Sequence, residues 1–307
     1  MHTEQGVLRL SIIVTFVLAL FGVGFGLWAG SFSIVFDGVY SLTDAVMTMV
    51  ALLVSKLITQ SLAERTRARL VRHFTMGFWH LEPMVLGLSG FLLIGAAVYA
   101  LINAVGSLMT GGRELAFDLA IVYAVITLAG AVGMAILGTR ANRTIGSNFV
   151  ALDAKAWVIS AALTAALLIA FVFGWLIQGT ALEWLSPYVD PAVLAIVCLV
   201  VIPMPIPTVR RALADILLVT PADLKRHVDR VAADIVARHG FLGYRAYVAR
   251  VGRGRQIELY FIVPTGLPPR PLEAWDRLRD EIGQQIGGES PDRWLTIAFT
   301  TDLEWAE

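Results

Sequence analysis

The stretch "SFSIVFDGVYSLTDAVMTMVALLVSKLI", residues 31–58, is apolar over most of its length, yet it carries two acids, Asp37 and Asp44, with Tyr40 between them. About twenty apolar residues suffice for a helix to cross roughly 30 Å of hydrocarbon, so the stretch is long enough to span. An aspartate at the centre of such a helix costs about 2.5–3.5 kcal/mol to insert, and acids retained there face a protein interior or a watery path. Spacings of three and four residues put Asp37, Tyr40 and Asp44 on one helical face over two turns. The stretch predicts a membrane helix with one oxygen-lined face.

Similar apolar runs recur on either side, with spans expected near 8–29, 32–57, 83–109, 115–137, 152–178 and 190–209. Of the 307 residues 57% are hydrophobic and 16% charged, more apolar matter than one soluble core needs. The first run is too long for the apolar core of a signal peptide and lacks a basic flank, so it reads as a retained helix. Lys56, Arg65, Arg67, Arg69 and Arg72 follow the second span, Arg140, Arg143 and Lys155 lie between the fourth and fifth, and Arg210 and Arg211 follow the sixth. On the opposite side Arg113 stands among Glu114, Asp118, Glu183 and Asp190. The positive-inside rule then places both termini in the cytoplasm. A formal net charge of zero argues against a nucleic-acid partner, and the single cysteine, Cys198, excludes an internal disulfide and a cysteine-based metal site.

After Arg211 the composition turns soluble. "TPADLKRHVDRVAADIVARHG" (220–240) has Leu224, Val228, Val231 and Ile235 at helical spacing, opens on Thr and Pro and closes on Gly240, as a capped amphipathic helix does. "YRAYVARVGRGRQIELYFIVP" (244–264) alternates around "GRGR" and predicts a hairpin; "PLEAWDRLRDEIGQQIGG" (271–288) predicts a second helix and "RWLTIAFTTDLEW" (293–305) a third strand. The order αββαβ predicts two helices on one face of a small antiparallel sheet. The expected domains are a six-helix transmembrane domain, 1–211, and a cytoplasmic αββαβ dimerisation domain, 212–307. Pro203, Pro205 and Pro207 should break the sixth span, since each removes a backbone donor and clashes with the preceding turn.

Several motifs, in order, resemble the cation diffusion facilitator family: "SFSIVFDGVYSLTD" its second-span signature, "FTMGFWHLEPM" (74–84) the Gly-x-x-x-x-Glu entry to its third span, "ALDAKAWVIS" (151–160) the start of its fifth, and "LLVTPADL" (217–224) its link into the cytoplasmic domain. The resemblance implies a homodimeric secondary transporter. In that family four side chains, two from the second span and two from the fifth, hold a divalent metal. Carried over position by position, they become Tyr40 and Asp44, Ala156 and Ser160. Of these only Asp44 is a strong ligand. Asp37 and Asp153 extend the two ladders at the same spacing, which makes Asp37, Tyr40, Asp44, Asp153 and Ser160 the candidate metal residues.

Each has a plainer reading. Asp37 lies near a helix start and reads also as a cap, Asp153 as an interfacial ion-pair partner of Lys155, and Tyr40 and Ser160 as packing residues. An oxygen-only set suits hard cations, so manganese or iron is at least as good an expectation as zinc, which favours nitrogen and sulfur. Further family ligands are expected to be missing. His73 and His80 lack their usual neighbours, Phe78 stands where a histidine is expected, and so do Tyr260 and Phe299 in the soluble domain, where His227 and His239 read as surface residues. The resemblance also pairs His80 with an acid near the end of the sixth span, here Asp215 in "RALADILL", although His80 reads equally as packing beside Trp79.

The expectation is a divalent-cation efflux transporter exchanging metal for protons, embedded in lipid as a multi-pass protein of a bacterial inner membrane and needing no cofactor. No Gly-x-x-x-x-Gly-Lys loop is present, and no nucleophile and base stand together as an enzyme requires. The alternative is a degenerate family member that binds but does not transport and serves regulation or interaction.

Overall fold

The computed structural model describes residues 4–62, 78–145 and 148–307. Its helices are α1 (Glu4–Ala29), α2 (Phe32–Leu62), α3 (Leu81–Met109), α4 (Phe117–Ile145), α5 (Asn148–Leu176), α6 (Ser186–Val201) and α7 (Ile206–Ile216). There follow α8 (Ala222–His239), strands β1 (Gly243–Val251) and β2 (Gly254–Ile262), α9 (Leu272–Ile286) and β3 (Arg293–Thr300). Among the described residues six stretches are long and apolar enough to cross a membrane, the sixth running over Glu183–Ile216. Within it α6 stops at Val201 and α7 starts at Ile206, so the helix breaks at the alternating prolines as expected. His73 and the arginines at 65, 67, 69 and 72 lie outside the described residues.

The chain forms two compact units, one of Met1–Val50 with Leu88–Pro207, the other of Ala51–Gly87 with Thr208–Glu307. In the first, α4 packs along α5, and α1 against both. Large apolar side chains such as Leu27, Tyr99, Ile102 and Ile169 are exposed, as hydrocarbon-facing residues are. The inward contacts use small residues. A Cβ on Gly38 of α2 would lie 2.6 Å from the Val23 nitrogen of α1, and one on Gly22 would lie 2.8 Å from the Tyr123 hydroxyl. These two glycines let α1 and α2 touch backbone to backbone beside Tyr123 of α4.

In the second unit α8 and α9 cover one face of a three-stranded sheet in the order β1-β2-β3. Val228, Ile235, Leu259, Phe261 and Ile282 fill the space between helices and sheet. The hairpin is as expected: β1 and β2 are antiparallel, closed between Val251 and Gly254, with Gly252 at φ +60° where a two-residue turn needs a left-handed first position. The all-antiparallel expectation is corrected at β3. It pairs with β2 in parallel, Leu259 opposite Ile297, because α9 carries the chain back along the sheet before β3 begins. The cap of α8 is also simpler than expected: Pro221 stands at the N-cap without a side-chain bond, while Gly240 ends the helix at φ +68°.

Within this unit the hairpin tip is tied to the ends of α2 and α3. Arg253 donates from its backbone N–H and Nε to Glu82 Oε2, at 3.2 and 3.0 Å, and from Nη2 to Ser55 Oγ at 3.0 Å. Asp215 has Arg250 and Glu82 as charged neighbours, the first attracting and the second repelling its carboxylate, and it accepts the backbone N–H of Gly252. The positions where resemblance suggested histidine are occupied by aromatic packing: Phe299 lies 4.7 Å from Trp275, and Tyr260 meets Tyr247 edge-on. His227 is more than a surface residue, its Nε2 lying 3.0 Å from the Ile286 carbonyl, and His239 stacks on Phe241.

Candidate cation site

The first unit contains a partly open cavity of about 250 Å³. Asp37, Tyr40 and Asp44 of α2 line it together with Asp153, Ala156 and Ser160 of α5. The helical spacings explain the gathering, because residues three and four apart share a face and two such faces bound one space. All five residues singled out in the sequence therefore meet one cavity, and Ala156 presents a methyl group where the resemblance implies a ligand.

Asp37 does not cap α2. That role falls to Ser31, whose Oγ accepts the Ile34 N–H at 3.2 Å, and to Asp190, whose Oδ2 accepts the Phe32 N–H at 3.2 Å. Ser31 Oγ also donates to Asp190 Oδ1 at 2.7 Å, and Ser33 Oγ to the Asp190 carbonyl at 3.0 Å. Asp190, read from sequence as an acid of an outer connection, is thus a residue of α6, 2% exposed, that holds the start of α2. Negative charge at a helix N-terminus is favourable there, with four N–H groups otherwise unpaired.

Asp37 instead accepts the Tyr123 hydroxyl on Oδ2 at 2.8 Å. Tyr123 is 1% exposed, its ring stacked on Phe21 at 5.6 Å and on Phe25 at 6.0 Å, so the phenol arrives from α4 in a fixed direction. Asp153 does not turn to Lys155. Its Oδ1 accepts the Ser11 hydroxyl of α1 at 2.7 Å, and Ser11 Oγ accepts the Trp157 indole N–H at 2.8 Å. Asp153 Oδ2 is enclosed and has no hydrogen-bond partner among the described residues. Asp44, one turn beyond Tyr40, accepts no hydrogen bond among the described residues.

No three His, Cys, Asp or Glu side chains among the described residues come close enough to share one ion. Asp44 lies seven positions beyond Asp37 on α2, about 10 Å at roughly 1.5 Å per residue. The acids thus lie in series along the cavity. Any ion at one of them has to complete its shell from the hydroxyl and phenol oxygens of the wall, from water or from the Met204 thioether, and a set dominated by oxygen suits magnesium, manganese and similar hard cations. Sequence reasoning missed Ser11, Thr15, Tyr123 and Thr127, which line the same cavity from α1 and α4.

Comparison with known proteins gives this arrangement its context: residues 8–217 match the model of the cation efflux transmembrane domain. The chain belongs to the cation efflux, or cation diffusion facilitator, family. No curated protein matches it. As a family member it is an integral multi-pass membrane protein and a cation efflux transporter, and the αββαβ domain lies beyond the matched segment.

Proposed function

We propose that this cation efflux protein carries a hard divalent cation, of the manganese or ferrous type, out of the cytoplasm in exchange for protons. Asp44 with Tyr40 forms the central station, Asp37 and Asp153 flank it, and Ser160 supplies a hydroxyl. One observation carries the reading: these five side chains, separate in sequence, line a single cavity without a nitrogen or sulfur ligand among them. Protons and metal ions compete for a carboxylate withdrawn from water, which is the physical basis of exchange. Alternating access then comes from rocking of helices about the cavity. The basic connections support cytoplasmic termini and an inner-membrane setting. Exposed Leu242 and Trp305 on the αββαβ domain, at 70% and 76%, support its pairing with a second copy.

The test is metal-driven proton flux in proteoliposomes with manganese, iron, zinc, cobalt, cadmium and magnesium, on the unmodified protein, Asp44→Asn and Asp37→Asn. Flux with a hard cation, lost in both variants, is the expected result; equal flux in the variants overturns the assignment. A second reading, a member that binds without transporting, is favoured by the methyl of Ala156 at a ligand position, and would leave flux absent for every cation while binding persists.

A further inference from the structure

The Trp157–Ser11–Asp153 chain is not needed to hold α1 against α5. Trp157 is already packed among Ala131, Met134 and Ala135, with Leu10, Val14 and Leu18 of α1 around it. What the chain does is set a direction. An indole N–H only donates, so Ser11 must receive it on a lone pair. The single hydroxyl proton of Ser11 is therefore committed to Asp153 Oδ1, 2.7 Å away. The bond on Oδ1 orients the carboxylate, and Oδ2 is enclosed without a partner among the described residues, in a residue that lines the cavity. Thr15, one turn further along α1, lines the cavity too and donates its hydroxyl to the Ser11 carbonyl, which leaves its own oxygen free to accept or to ligate. An enclosed carboxylate oxygen without a donor is what a bound cation satisfies, and metal-binding carboxylates are commonly oriented by a hydrogen bond on their other oxygen.

We infer that Ser11, backed by Trp157, is a positioning residue that fixes the Asp153 carboxylate at the cavity wall and so builds a second cation station at the α1–α5 contact, separate from the Tyr40–Asp44 station. The inference rests on the proposed cation-transport reading. It gives α1 a part in substrate handling and requires that α1 stay with α5 whenever this station is filled.

The experiment is calorimetric titration of Mn²⁺ into the purified full chain, with unfolding midpoints measured alongside, for Asp44→Asn, Asp153→Asn, Ser11→Ala, Ser11→Thr and the pair Ser11→Ala with Asp153→Asn. Ser11→Ala should weaken one Mn²⁺ site by about tenfold, the usual effect of losing an orienting partner. Ser11→Thr, which keeps the hydroxyl, should restore it to within about twofold, and Ser11→Ala should add nothing once Asp153 is Asn, since it acts only through that carboxylate. If Asp44→Asn weakens Mn²⁺ binding while Asp153→Asn and Ser11→Ala leave it unchanged, this inference is overturned and the transport reading stands. Ser11→Ala and Ser11→Thr shifting only the unfolding midpoint overturns it as well. If no variant, nor the unmodified chain, binds Mn²⁺, the transport reading falls and this inference with it.

Discussion

Replacing Tyr123 with Phe removes one oxygen and leaves the ring between Phe21 and Phe25, so almost no packing is lost. What goes is the hydroxyl bond to Asp37, 2.8 Å long and partly buried at the contact of α1, α2 and α4. Hydrogen bonds to charged groups contribute about 1.5–3 kcal/mol. Interhelical bonds in membranes run lower, with an average near 0.6 and a maximum near 1.7 kcal/mol, because the unfolded helices also find partners in lipid. An ionisable acceptor and a fully enclosed donor place this bond at the top of the membrane range, so Tyr123→Phe should cost about 1.5 kcal/mol, roughly tenfold in the unfolding equilibrium. The assay is unfolding in mixed micelles titrated with SDS, run as a double-mutant cycle with Asp37→Ala. In the Asp37→Ala background the phenol is left without its acceptor, and Tyr123→Phe should then be neutral or stabilising. Equal costs in the two backgrounds would refute the reasoning, since the energy would then belong to the ring's surroundings and not to the bond.

Other consequences are as direct. Ala156→Asp should tighten Mn²⁺ binding by restoring a carboxylate to the cavity, whereas Ala156→His should shift preference toward zinc; competitive titration of the two metals reads both. Leu218 adopts φ +54° at the end of α7, a conformation costing an L side chain about 1 kcal/mol, so Leu218→Gly should raise stability by up to roughly that amount in the same SDS titration. Asp190→Ala removes acceptors from Ser31 and from the Phe32 N–H and should destabilise by about 2 kcal/mol or more, with faster hydrogen exchange at residues 32–35. Arg253→Ala breaks a half-exposed contact with Glu82 and should cost under about 1 kcal/mol while raising exchange at residues 252–254.

The spans were legible because hydropathy alone marks them, and the break after Val201 because three prolines leave no alternative. The α2 face was legible because polar residues in an apolar helix stand out at a countable spacing. Ser11 and Tyr123 were not. A membrane helix is apolar on all sides, so no amphipathic contrast tells which face meets which neighbour, and lone hydroxyl residues look like ordinary packing. Asp190 precedes Pro191 and sits among acids of a connection, and only the folded chain reveals that it lies against the first turn of α2. The direction of β3 depends on where α9 delivers the chain, which a strand's own alternation does not contain.

The parallel placement of β3 also sets the order in which the soluble domain is made. The β1–β2 hairpin joins neighbours in sequence and closes through a two-residue turn, so it is complete once residue 262 is available. The far edge of β2, with Leu259 and Phe261 along it, waits for residues 293–300. Non-local pairings form late, and an apolar strand edge with unpaired backbone groups invites pairing with other chains. During synthesis there is thus an interval of some thirty residues, about 2–6 s at ribosomal speed, in which this domain is most exposed to misassembly. Slowing translation across α9 would lengthen that interval, and aggregation should rise with it even though the finished protein is unchanged.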